Sequence, residues 1–203
     1  MKVAFNKVLF FFLLFFLNVS LMTASKMYEG FLVTNQKDTI HGQVNLDCPI
    51  SNQLKVRIVD QANKKREFKA EELKSYAFTF EKFNPENKKY ELEKVVYERK
   101  VMHKPPVFKG PTNVLVKLKV DGPIKLYHYF LESCTITENP FIYQPVLETP
   151  NAGLVVLTRQ NYIEELKKAI RDYDVLYKKI GSRGYKFKEI HTTLIAYNEW
   201  TNR

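Results

Sequence analysis

Glycine is scarce in this 203-residue chain, at 7, and beside it stand only 2 cysteines and a single tryptophan. So little glycine, with 9 prolines, excludes collagen-like and low-complexity architectures, and 45% apolar residues with 14% aromatics exclude a disordered chain. G-x-S-x-G, H-E-x-x-H, G-x-x-x-x-G-K-[ST] and G-x-G-x-x-G are all missing. The common hydrolase, zinc-peptidase, nucleotide and dinucleotide signatures therefore fail together. Neither the His41 to Cys48 nor the His128 to Cys134 spacing places ligands on one metal ion. No cofactor, metal ligand or catalytic residue is assigned from the sequence.

Acidic residues are absent before Glu29, and the start is otherwise distinctive. Met1, Lys2 and Lys7 precede ten uninterrupted apolar residues, Val8 to Leu17, and Thr23, Ala24 and Ser25 close the segment with small side chains. A positive start, an apolar stretch and a small-residue exit predict a signal peptide over 1–25, cleaved after Ala24 or Ser25. The competing reading is an uncleaved anchor, because Val8 to Ala24 lies at the lower edge of the length that spans a bilayer. No cysteine follows the run to take an acyl anchor, and no later stretch approaches spanning length. The expected setting is the periplasm, the outer membrane surface or the exterior.

Without Lys2 and Lys7 the net charge falls from +10 to +8. Residues 26–158 carry 20 basic against 16 acidic side chains and residues 159–203 carry 10 against 6, so the excess is spread and interleaved. A basic exported protein meets anionic envelope polymers and lipids, whereas nucleic acid is not an expected partner. Cys48 and Cys134 would meet an oxidising compartment, where they form either one disulfide or two buried thiols. A bridge would close a loop of 86 residues, worth about 4.5 kcal/mol in the chain-entropy model.

From Tyr28 to about Pro145 the hydrophobic period is close to two and the breaks are turns. Gly30 to Thr34 and Thr39 to Val44 predict a hairpin, Leu54 to Val59 alternates, and Arg66 to Lys69 returns. Ala70 to Leu73 reads as one helical turn before a strand from Ser75 to Phe80. Pro85 breaks the chain before a strand from Tyr90 to Val101, and Lys104-Pro105-Pro106 marks a loop or an edge. Asn113 to Val120 and Ile124 to Leu131 predict a hairpin around Asp121-Gly122-Pro123, with Lys117, Lys119 and Lys125 on the solvent side. Phe141 to Leu147 is the last expected strand, with Pro145 pointing to an edge position.

After Thr158 the period becomes helical, with Tyr162, Leu166, Ala169 and Ile170 on one face and Asn161 and Glu164 spaced for a capping box. Asp172 or Asp174 would cap a second helix ending at Gly181 or Gly184, and Lys186 to Trp200 would form a third. The expectation is one α+β domain: an antiparallel β-rich region over 26–157, free to curl toward a partial barrel, with about three short helices over 158–203 packed on it.

Gly30-Phe31-Leu32-Val33-Thr34 to Asp38-Thr39-Ile40-His41-Gly42, then Val120-Asp121-Gly122-Pro123-Ile124-Lys125-Leu126-Tyr127, then Ala196-Tyr197-Asn198, together resemble small exported proteins of unknown function from Bacteroidota. The resemblance covers most of the chain after residue 25. It implies a Gram-negative envelope setting, a signal peptide, a β-rich front and a helical end, and carries no activity or catalytic residue.

Three functions follow as expectations. The first is a non-catalytic binding module for an envelope protein or an anionic surface polymer. The second is a partial barrel binding a lipid or carbohydrate, with Tyr127, His128, Tyr129 and Phe130 as candidate stacking residues, although alternation along a strand turns half of them into core. The third is an envelope hydrolase, which requires acids or several of His41, His103, His128 and His191 to converge. Asp172 and Asp174 read as helix capping before they read as a carboxylate pair or calcium ligands, and Gly181 to Gly184 as a helix stop before an anion loop.

Overall fold

The computed structural model describes residues 26–103, 112–131 and 142–202. The expected signal segment, the diproline loop, Cys134 and the start of the strand expected at Phe141 lie outside the described residues. One antiparallel sheet of ten strands, ordered β10-β9-β8-β7-β6-β5-β1-β2-β3-β4, organises the chain. Its strands are β1 (Lys26–Thr34), β2 (Thr39–Leu46), β3 (Lys55–Asp60), β4 (Lys65–Lys69), β5 (Leu73–Asn84), β6 (Lys89–Met102), β7 (Thr112–Val120), β8 (Lys125–Phe130), β9 (Tyr143–Thr149) and β10 (Gly153–Val156). With the helices α1 (Pro49–Leu54), α2 (Tyr162–Ala169), α3 (Asp174–Lys179) and α4 (Ile190–Thr201) this is an α+β arrangement, with the sheet open at β4 and β10.

Period-two patterning gives the sheet two faces. One face carries Leu32, Val44, Ile58, Tyr76, Phe78, Tyr97, Leu115 and Phe130 in one buried cluster, against which Ile50 of α1 packs. On the same face farther along, Val120, Leu126 and Leu147 join Leu166, Leu176, Ile190, Leu194 and Tyr197 of α2, α3 and α4. The opposite face gathers Met102, Val114, Val116, Tyr127, Tyr129 and Val146. There Lys100 on β6 binds Glu148 on β9 at 2.8 Å across the two intervening strands. Three strand spacings amount to about 14 Å on a flat sheet, beyond the reach of a lysine and a glutamate together, so β6 to β9 curl around this face.

Several expectations change. Pro145 sits in β9, which β10 flanks, rather than on an edge strand. Proline is tolerated because β10 registers only with Val146 to Thr149, and the Pro145 carbonyl accepts from the Leu157 amide at 2.8 Å. The alternation of Val114, Val116, Leu118 and Val120 breaks at a register shift between Leu118 and Val120. Val120 thereby crosses to the helix-bearing face while Leu118 packs with Tyr127 on the other. Of the three lysines expected in solvent only Lys119 is exposed. Lys117 is half-buried, and burial followed by the nearby Lys119 charge lowers its pKa.

Helix capping differs as well. Asn161 heads α2 without capping it; its amide accepts from the Thr158 backbone at 2.6 Å and donates to the Val156 carbonyl at 3.0 Å, which ties strand exit to helix entry. Asp172 accepts the Tyr197 hydroxyl at 3.0 Å instead of capping α3, and Asp174 pairs with Lys178 inside that helix. Gly181 and Gly184 take positive φ, 89° and 86°, in the turn that stops α3, as the sequence predicts.

Candidate functional site

Phe31 on β1 and His41 on β2 are directly paired on the face that the helices leave bare, their rings 5.8 Å apart. Lys94 on β6 reaches across β5 to place its ammonium 5.4 Å from the centroid of the Phe31 ring, within range of a cation–π contact. Glu29, Gln61 and Thr79 complete the rim of a hollow of about 340 Å³, and the backbones of Gly30 and Gly42 with Ala77 form its floor. The two glycines are paired to each other. A Cβ on Gly30 would run into the Ala77 carbonyl and one on Gly42 into that of Val59, so glycine permits the close approach of strands beneath the hollow.

The surface continues outward along a hairpin. β1 registers with β5 only as far as Phe78, and β7 with β6 only from Tyr97. Residues 79–84 and 89–96 therefore project as a two-stranded ribbon with neither edge in a ladder, closed by a turn in which Lys88 has φ 55°. One side is ion-paired and amide-bonded, with Lys82 on Glu93 at 2.6 Å and Asn84 on Glu91 at 3.2 Å. The other side, continuous with the hollow, exposes Phe83 by 49%, Tyr90 by 69% and Leu92 by 75%. Phe83 and Tyr90 meet edge to face at 5.4 Å. Three large apolar side chains exposed together on one face are an uncommon surface for a folded chain and mark a contact region.

A second polar group sits inside the curl. The Tyr127 hydroxyl lies 2.7 Å from both Glu98 and Glu148, Lys100 binds both carboxylates, and Lys125 binds Glu98 at 3.1 Å and Asp121 at 3.2 Å. Burial alone would raise the Glu98 pKa, but hydrogen bonds from Tyr127, Lys125 and Lys100 outweigh it and hold the carboxyl below 4.5. The Tyr127 hydroxyl is pushed far up, by burial first and by the two carboxylates next. Lys100 and Lys125 offset Glu98 and Glu148, with Asp121 at the exposed margin, so the cluster is a closed network that pins β6, β8 and β9.

Because the folded Glu98 pKa is depressed, its contribution to stability is complete above the unfolded value and is lost as pH falls through the folded one. The melting temperature should therefore drop from about pH 5 to about pH 3. Glu98→Gln should flatten that dependence, as measured by calorimetry; an unchanged slope would remove Glu98 from the account.

The four candidate stacking residues separate. Tyr127 and Tyr129 are fully buried in the curl, whereas Phe130 joins the core under α1. His128 lies on the helix-bearing side and stacks on Tyr143 at 3.6 Å. Burial, then the Lys119 and Lys117 charges, push its pKa down to about 3, so it is neutral at physiological pH and carries no proton switch. His41, His103 and His191 stand on β2, after β6 and on α4, and among the described residues no three His, Cys, Asp or Glu gather to hold a metal ion.

Cys48 precedes α1, while Cys134 lies outside the described residues. Gln53, which sequence reasoning passes over, is fully buried and makes two hydrogen bonds to the backbone of Phe130. That clamp sets α1 beside the end of β8, four positions before Cys134.

Sequence patterning also passes over the hollow and the ribbon. The one signal for them was the alternation Tyr90, Leu92, Lys94 against Glu91, Glu93, which looks like any strand until the neighbours on both sides are known to be missing. Among known protein families, curated proteins and solved structures, none matches this chain.

Proposed function

We propose that this chain is an exported, non-catalytic interaction module that binds another polypeptide through the uncovered sheet face formed by the Phe31 hollow and the β5–β6 ribbon. The observation that carries this reading is the joint exposure of Phe83, Tyr90 and Leu92 on the same face as the hollow. The leader-like start supports export.

A polypeptide fits this face better than an anionic polymer does. Lys94 and His41 stand there with Glu29 and Glu81, so the surface is not a positive patch. The small-ligand reading is the second choice, because Tyr127, Tyr129 and the ion pairs fill the concave side of the curl. Acid–base catalysis has no support in the Glu98–Glu148 network, since both carboxylates already face lysine and tyrosine.

The test is capture from a native envelope fraction by tagged chain beginning at Lys26, at low and at high salt. A specific protein should be retained at high salt by the native sequence and released by Phe83→Ser with Leu92→Ser. Capture that disappears at high salt would assign the binding to the +8 charge alone and overturn the proposal.

A further inference from the structure

The ribbon and the hollow are a projection and a recess on one face of one molecule, and that pairing says something about what covers them. A two-stranded ribbon is marginal by itself, and this one leaves an apolar side in water. The recess lies two to six residues from these exposed side chains along the same strands, where Ala77 pairs with Val96 and Thr79 with Lys94. A surface that carries both a projection and a recess can meet its own copy across a two-fold axis, the commonest symmetry of self-association.

We propose that the partner at this face is a second copy of the chain, with each ribbon lying over the β5–β6 rim of the other's hollow. This rests on the reading that the uncovered face is the binding surface. The two sheets meet face to face with β5 antiparallel to β5 and β6 antiparallel to β6. Phe83 of one copy then lies over Ala77 of the other, the smallest side chain of the recess, and Tyr90 lies over Val96. Glu81 of one copy comes over Thr79 of the other, beside Lys94.

Charge complements the shape. Glu81 is the acid on the apolar side of the ribbon, and Lys94 is the lysine of the recess, its recorded contact among the described residues being the Phe31 ring. In the pair these charges meet twice, once on each side of the axis. The opposite side of the ribbon has its charges matched internally through Lys82, Glu93, Asn84 and Glu91, so it has little to offer a partner.

Sedimentation equilibrium of the chain from Lys26 onward, which carries every described strand and helix, tests the proposal over about 1 to about 500 µM. A monomer–dimer equilibrium is expected. Phe83→Ser with Leu92→Ser should weaken it at least about tenfold. Glu81→Lys and Lys94→Glu should each weaken it, and the two together should restore it, as measured by the dimer dissociation constant. These side chains are exposed, and circular dichroism of each variant checks that the fold is kept.

A monomer at every concentration, or a dimer indifferent to all four substitutions, overturns the proposal. Capture from the envelope fraction with the same variants separates the two levels. A monomer whose capture still depends on Phe83 and Leu92 overturns the second copy and keeps the binding face; a monomer without such capture overturns both.

Discussion

Replacing Gln53 by alanine is expected to cost about 2–4 kcal/mol of unfolding free energy, among the largest effects of any single polar substitution in this chain. Gln53 is fully buried on α1. Its Nε2 donates to the Phe130 carbonyl at 3.1 Å, and its Oε1 accepts from the Phe130 amide at 2.6 Å. The side chain thus imitates a neighbouring strand at the end of β8. Alanine would remove both of these buried hydrogen bonds to the Phe130 backbone, each costing about 1–3 kcal/mol.

α1 is only six residues long, too short to hold its shape without tertiary contacts. Loss of the clamp should therefore loosen the whole Cys48 to Leu54 segment. Urea denaturation gives the free energy, and amide exchange at Phe130 should rise with it. Gln43→Ala is the control: among the described residues its exposed amide bonds only Glu29, and the change should stay within about 0.5 kcal/mol. A Gln53→Ala loss no greater than the control would show that water replaces both bonds.

Asn198→Ala should cost about 2–4 kcal/mol for a related reason. On α4, Asn198 donates to the Asp121 carbonyl at 3.1 Å and the Ile124 carbonyl at 2.9 Å, and accepts from the Ile124 amide at 3.3 Å. One side chain thereby locks the helical end of the chain to the β7–β8 turn. Gly122 makes room for it: its φ is 146°, and a Cβ there would run into the Asn198 amide. Gly122→Ala should cost about 2 kcal/mol or more, through backbone strain and collision together.

Combining the two substitutions should cost less than their sum, because the shortened residue 198 no longer obstructs the added methyl while the unfavourable φ persists. A double-mutant cycle by urea denaturation measures the coupling. Strict additivity would mean that the turn and the helix are held apart from each other by something else. The two sequence phrases around Gly122 and Asn198, 76 residues apart, are thus halves of one contact.

What the sequence determined by itself is what local physics controls. Hydrophobic period two from Tyr28 to about Pro145 and period 3.6 after Thr158 set which segments became strands and which became helices. Turn chemistry at Asp121-Gly122-Pro123 and at Asn84 to Lys88 set where hairpins closed. The glycine stop after α3 was legible because positive φ has few other residues to serve it. The short elements α1 and β10 were not, since six and four residues carry too little periodicity to register.

Only the tertiary structure decided how the hairpins are ordered in the sheet, and everything at the candidate site depends on that. Strand order sets β1 of the first hairpin beside β5, bringing the distant Lys94 to the hairpin pair Phe31 and His41. Unequal strand lengths leave residues 79–96 beyond both neighbours, which turns an ordinary alternating hairpin into an exposed ribbon. Curling of β6 to β9 makes Glu98, Lys100 and Glu148 meet across two strands, a contact that no pairwise register implies. A period tells a side chain which face to take; it does not say whether another strand, a helix or water waits there.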